Sequence, residues 1–169
     1  MDLYNPSRLA LSYTRAMTAA LLFQDNDPRR ALVIGLGGGS LAKFLLEHFA
    51  ACRVDAVELR EEVARLAHRY FLLPEDSRLR LVVEDAGDFI RRAAPLEAEY
   101  DLILIDAYGH DGMSGSVAGE SFFQALRPLL SADGVLAINL WSGDSLPMKS
   151  SLRDIGEAFD GRAFQLPVE

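Results

Sequence analysis

The residues best suited to chemistry stand at regular places along the chain. Gly35-Leu36-Gly37-Gly38-Gly39 follows the apolar run Ala31-Leu32-Val33-Ile34 and precedes a stretch, residues 41–49, in which helical periodicity resumes. Glycines let a chain turn sharply with no Cβ in the way, so a ligand can lie against backbone N–H groups at the start of a helix. Strand, glycine-rich turn and helix in that order are the setting of a dinucleotide or nucleoside fingerprint. Glu58 ends the next apolar run, about twenty residues beyond the turn, where a carboxylate can accept hydrogen bonds from both ribose hydroxyls. Asp85, followed by Ala86, and Asp106 end the third and fourth such runs, which puts all three acids at one edge of any parallel sheet the runs build. The turn lacks the Lys and Ser/Thr pair of a phosphate-binding P-loop, so a nucleoside fits it better than a phosphate-rich dinucleotide. No His, Cys and carboxylate cluster has metal-ligand spacing, and His48 and His68 fall within helical stretches as surface or packing residues.

The scaffold that would position these residues is an alternation. Leu9, Tyr13, Met17, Ala20 and Leu21 recur at helical spacing and predict an N-terminal helix within residues 1–24, ending before Asp25-Asn26-Asp27-Pro28. After the first strand and the glycine turn, Ser40 is placed to cap the helix over 41–49. Strand 54–59, helix 61–70, strand 79–83, helix 86–93, strand 100–105, helix 120–130 and strand 135–141 follow. The pattern predicts one α/β, Rossmann-like, doubly wound domain over residues 1–169, a mostly parallel sheet with helices on both faces and right-handed crossovers. A last helix over 146–159 and the beginning of a strand over 163–167 close the sequence. The C-terminal edge of the sheet is therefore expected to be either truncated or covered by a partner chain, a homodimer included.

Composition narrows the class. Half of the 169 residues are apolar and a quarter charged, as in an ordinary globular domain. With 17 basic and 25 acidic residues the formal charge is −8, which argues against nucleic acid and suits a cationic small molecule. Cys52 is the only cysteine, so it reads as a structural thiol in a chain without an internal disulfide. The N-terminal residues carry no signal-peptide pattern and the apolar run 16–23 is too short to span a bilayer, so a cytoplasmic protein without a membrane partner is expected.

Taken together, Tyr13 through Met17, Arg30 through Ser40 with its Gly-Leu-Gly-Gly-Gly core, Val57-Glu58-Leu59, Glu84-Asp85-Ala86, Tyr100 through Asp106 and Phe122-Phe123 resemble the polyamine aminopropyltransferases, the spermidine synthase family. The likeness is greater to that family's spermidine synthase-like branch, covers about residues 13–141, and is shared in large part with the class I S-adenosylmethionine-dependent methyltransferase fold. The resemblance implies that Gly35, Gly37, Gly38 and Gly39 line the cofactor, Glu58 with Leu59 holds the ribose, and Asp85 with Ala86 reads the adenine edge. It implies that Asp106 handles the acceptor amine; beside it, Tyr13 and Tyr108, which could supply walls or hydrogen bonds for the acceptor, and Asp111 are the substrate-binding candidates. The implied cofactor is S-adenosylmethionine or its decarboxylated form, without a metal, and the partner a small-molecule amine.

The sequence also departs from that family. Its glycine turn carries an Asp that holds the donor's amino group, and the matching position here is Gly38. Its catalytic Asp is followed by Ser-Asp-Pro, whereas Ala107-Tyr108-Gly109-His110-Asp111-Gly112 stands here, with Asp111 in a shifted register as the substitute acid. The resemblance does not extend to the family's N-terminal β-hairpin domain. The leading expectation is a transferase moving an aminopropyl group from a sulfonium donor to an amine. A small-molecule methyltransferase using S-adenosylmethionine and a nucleoside-binding or scaffold protein without catalysis are the alternatives.

Overall fold

The computed structural model describes residues 4–93, 99–109, 112–113, 117, 119–140 and 146–168. Its centre is a five-stranded sheet built from β1 (Arg30–Ile34), β2 (Arg53–Glu58), β3 (Leu79–Val83), β4 (Tyr100–Ile105) and, after the two-residue hairpin strands β5 (Tyr108–Gly109) and β6 (Gly112–Met113), β7 (Leu130–Ile138). The order is β3-β2-β1-β4-β7 and every pairing in it is parallel. The connection direction reverses between β1 and β4, and at such a switch point the crevice beyond the carboxyl ends of the strands is where open α/β sheets bind ligands.

Strand periodicity of two explains how the sheet is covered on both faces. Ala31, Val33, Val54, Ala56, Leu102 and Leu104 point to one side and pack with Leu41, Ala42 and Leu45 of α2 (Ser40–His48) and Ala64 and Ala67 of α3 (Glu61–Tyr70). Leu32, Ile34, Val57, Ile103 and Ile105 point to the other and meet Phe89 and Ile90 of α4 (Ala86–Ala93) and Phe122, Phe123 and Leu126 of α5 (Glu120–Leu126). Ile155 and Ala158 of α6 (Leu146–Ala158) join that second layer. Cys52 is fully buried in the first layer, and burial, followed by the nearby Asp101, pushes its thiol up to about 11, so it is an inert packing group.

Four local expectations are corrected. The N-terminal helix is split into α1 (Ser12–Thr18) and a 3-10 turn (Ala19–Phe23). Thr14 Oγ1 and Thr18 Oγ1 donate to the carbonyls of Leu11 and Arg15 at 2.7 and 2.8 Å, back-bonds that compete with regular helix, while Arg15 Nη1 holds the carbonyls of Leu9 and Ala10 outside it. Ser40 is the first helical residue rather than the cap: Gly39 takes the boundary at φ +72°, and no side chain caps α2. Pro128 ends α5 early by forcing a 3-10 turn (Arg127–Leu129), so β7 begins at Leu130 and carries a register irregularity opposite Tyr100 and Leu102, where Gly134 approaches the Tyr100 carbonyl. Residues 163–167 form no strand. Asp160 and Gly161 both adopt positive φ after α6, and the chain then runs to the 3-10 turn, where the Phe164 ring stacks on Phe23 at 5.6 Å.

Candidate active site

The glycine turn is held from beneath by strand ends. Gly35 N–H donates to Val57 O at 2.9 Å and Asp106 N–H to Ile34 O at 2.8 Å, which continues the β2-β1-β4 ladder past the last strand residues. Gly35 sits at φ +89°, and a Cβ there would lie 2.3 Å from the Asp106 carbonyl oxygen, so the turn and the acid are in direct backbone contact. Gly37 and Gly39 also take positive φ, and Leu73 fills the space beside Gly39. Gly38 instead faces the Phe71 ring, whose Cδ1 lies 3.3 Å from where a Cβ would be.

Glu58 is 7% exposed and accepts from Leu36 N–H at 3.1 Å through Oε2 and from Arg60 N–H at 3.0 Å through Oε1. It therefore ties the turn to the end of β2 and keeps its carboxylate at the crevice edge, with Leu59 exposed beside it. Asp85 caps α4: Oδ1 accepts from the N–H groups of Gly87 and Asp88 at 2.9 and 3.2 Å. Ala86, the first residue of that helix, is buried.

Both carboxylate oxygens of Asp106 are held by side chains. Its Oδ2 accepts from the Tyr13 hydroxyl at 3.1 Å, and its Oδ1 from Asn139 Nδ2 at 2.9 Å. Asn139 N–H in turn donates to Ile105 O at 2.9 Å, so β7 carries the amide to the acid. Burial, then the Asp106 charge and the hydrogen bond to it, push the Tyr13 phenol up to about 12, so this group is a donor throughout the neutral range. Tyr13, Thr14, Gly35, Gly37, Ser40 and Asp106 line one cleft, to which α1 contributes the first two. Tyr108 begins the short hairpin two residues beyond Asp106, its side chain outside the description, and Asp111 lies outside the described residues.

Sequence reading missed three contributors. Lys43 is 4% exposed, and its Nζ donates to Gly38 O at 2.9 Å and Phe71 O at 2.5 Å; burial lowers the affinity of this amine for its proton. Its signal was a charge set among Leu41, Ala42, Leu45 and Leu46 on a buried helix face. Asn139 could have been found as the polar residue interrupting an apolar strand run, and Phe71 left no signal beyond a helix end. His48 and His68 are exposed, the first against the Phe44 ring and the second within 3.0 Å of Leu73 O. Among the described residues no group of three His, Cys, Asp or Glu side chains could hold a metal ion, and no helix is long and apolar enough to cross a membrane.

An all-parallel sheet of this order, with a glycine turn after β1 and acids ending β2 and β4, defines the class I S-adenosylmethionine-dependent methyltransferase fold. The chain superposes on human methyltransferase-like protein 13 in complex with SAH at a TM-score of 0.81 and 29% identity, covering 88% of this chain and 73% of that one. Residues 10–151 match the spermine/spermidine synthase domain, and the chain belongs to that family. It is 35% identical over 170 residues to the polyamine aminopropyltransferase of Neisseria meningitidis, and 38% over 171 residues to that of Chromobacterium violaceum. These alignments take in 100% and 99% of this chain but 63% of each relative, so the chain spans less than two thirds of their length.

Proposed function

We propose that this chain is a transferase that binds an S-adenosyl-type donor along the Gly35–Gly39 turn and moves an aminopropyl group to an amine held at Asp106. The observation that carries the reading is the direct backbone contact between Gly35 and Asp106, because it fixes a nucleoside cradle and a carboxylate as one unit. The residues present suit the donor: the turn leaves room for a ligand against its backbone, α2 starts without a side-chain cap, and Glu58 and Asp85 flank it at the strand ends. A bound sulfonium supplies an electrophilic carbon and a neutral thioether leaving group. The chain's residues supply the rest.

An aliphatic ammonium with a pKa near 10 cannot attack until it loses a proton. Asp106 would attract that ammonium, orient it and accept the proton, help worth about 10²–10⁴-fold, with positioning adding more. Tyr13 and Asn139, each donating to one oxygen, would hold the carboxylate in the cleft while it does so. The aminopropyl group follows the family and its polyamine aminopropyltransferase relatives.

Methyl transfer from S-adenosylmethionine is a second reading, favoured by Gly38. An acid at that position would repel the donor's own carboxylate, and here the Phe71 ring fills the direction such a side chain would take. Incubation with either donor and a panel of diamines and amine-bearing peptides, followed by mass spectrometry, separates the readings. Appearance of 5′-methylthioadenosine with an acceptor gaining an aminopropyl group supports the first, and S-adenosylhomocysteine with a methylated acceptor supports the second. Failure of both donors and of 5′-methylthioadenosine to bind in calorimetry would refute both.

A further inference from the structure

A donor and an acceptor that each carry an ammonium pose a problem at a site with one central carboxylate. If both ammonium groups turned to Asp106 they would repel each other, and the donor's sulfonium would lie beside an anion that favours its charged ground state. The donor's ammonium therefore needs a surface of its own, away from Asp106 and close to the glycine turn.

The segment packed against Gly38 of the turn offers one. α3 ends at Tyr70, and the N–H groups of Phe71 and Leu73 both return to Ala67 O at 3.1 Å, while Leu72 adopts φ +56°. That tight reversal drives Leu73 into the space beside Gly39 and sets the Phe71 ring against Gly38. Lys43 locks the arrangement by donating to the carbonyls of both Gly38 and Phe71, which turns those two acceptors inward and leaves the ring as the outward surface. Phe71 remains 39% exposed although it is held at both its backbone and its ring, a use of a large apolar side chain that packing alone does not require.

We infer that Phe71 is a specificity-determining residue that receives the donor's ammonium on its ring face, with Lys43 as the residue that positions it. The inference rests on the nucleoside reading proposed above and holds for either donor, since both carry an amine on an alkyl chain bonded to sulfur, whether that chain is transferred or stays behind. An aromatic face attracts an ammonium within about 6 Å of its centroid, and it does so without the net negative charge that would repel a donor carboxylate. Phe71 thus does the work of an acid at Gly38 while tolerating a wider range of donors.

The test is calorimetric and needs no acceptor. 5′-Methylthioadenosine has no ammonium, S-adenosylhomocysteine has an ammonium and a carboxylate, and decarboxylated S-adenosylhomocysteine has the ammonium alone. Phe71→Leu keeps apolar bulk and removes the π face. It should weaken both amine-bearing ligands by about 3- to 30-fold and leave 5′-methylthioadenosine unchanged, and Phe71→Trp should restore them. Equal losses for all three ligands would mean that Phe71 only shapes the turn, and no loss for any would mean that the ammonium lies elsewhere; either overturns the inference. If 5′-methylthioadenosine fails to bind the unsubstituted chain, the nucleoside reading itself has failed. Lys43→Met, which frees both carbonyls, should reproduce the selective loss at a temperature where circular dichroism shows it folded. A lower melting temperature with unchanged ligand ratios would overturn its positioning role.

Discussion

Gly35→Ala tests the contact on which the site reading depends, and Gly37→Ala is its internal control. Both residues have positive φ, +89° and +51°, so an added Cβ costs each about 1–2 kcal/mol through backbone conformation alone. Their surroundings differ. At Gly37 the added Cβ would meet nothing within 4 Å, whereas at Gly35 it would lie 2.3 Å from Asp106 O, 2.7 Å from Asp106 C and 3.1 Å from Ala107 Cα. These are backbone atoms, held by the bonds from Asp106 N–H to Ile34 O and from Gly35 N–H to Val57 O, so relief requires separating β1 from β4 at their carboxyl ends. Overpacking of that kind adds about 1–3 kcal/mol. The total for Gly35→Ala is then about 2–5 kcal/mol against about 1–2 for Gly37→Ala. At about 2–4 °C per kcal/mol for a chain of this size, the two variants should melt several degrees apart. Thermal melts and urea titrations read the difference, and 5′-methylthioadenosine titration reads its consequence, because displacing the Asp106 backbone also displaces the turn. Equal melting temperatures would refute the claimed contact.

Asp106→Asn should leave nucleoside affinity nearly intact and reduce turnover with the true acceptor at least about a hundredfold; normal turnover would remove Asp106 from the chemistry. The same variant should lower the Tyr13 titration, followed by phenolate absorbance, from about 12 only part of the way to 10.0, because burial is the largest cause and the acid's charge and hydrogen bond the lesser ones. The sign for stability follows: above pH 10 the unfolded chain loses the phenol proton first, so Tyr13 contributes a loss of stability as pH rises from about 10 to about 12. That alkaline loss in urea titrations should be smaller in Asp106→Asn. Glu58→Ala should weaken 5′-methylthioadenosine binding by about 1.5–3 kcal/mol, and unchanged calorimetric affinity would remove it from the site. Asp85→Ala should cost about 0.5–2 kcal/mol of stability through the lost α4 cap, a second effect beside any loss of nucleoside affinity, and denaturation measures it separately.

The sheet was legible because its signals are short-range and redundant. Ala31-Leu32-Val33-Ile34 and Leu102 through Ile105 are apolar throughout, as buried parallel strands require, and the first is followed directly by a glycine and the second by an acid. The misread segments depend on interactions that periodicity does not encode. The N-terminal helix carries apolar residues at helical spacing to Leu21, yet two threonine hydroxyls and Arg15, all bonding to backbone carbonyls, decide where it starts and where it tightens. The strand expected over 163–167 has suitable residue types, but two positive-φ residues redirect the chain before it can extend.

The site divides along the same line. Gly35, Glu58, Asp85 and Asp106 could be named from sequence because each ends a strand, and strand ends in this topology converge on one crevice. Lys43, Phe71 and Asn139 act through contacts across 28, 28 and 33 residues of chain, and no local pattern marks such partners. These three give the crevice its chemical sense. A bare carboxylate at a strand end could serve as a cap, a metal ligand or a base. One whose two oxygens are separately held, by a phenol that stays protonated and by an amide anchored to β7, is kept as an oriented acceptor facing the cleft. An anion beside a sulfonium would favour the ground state, whose positive charge disappears during transfer, so in the proposed reaction an acid fixed in this way would serve the incoming amine instead. On the proposed function, the clamp on Asp106 and the ring beside Gly38 would be two halves of one arrangement: the carboxylate would be reserved for the nucleophile, and the donor's own ammonium would be received by a surface without net charge.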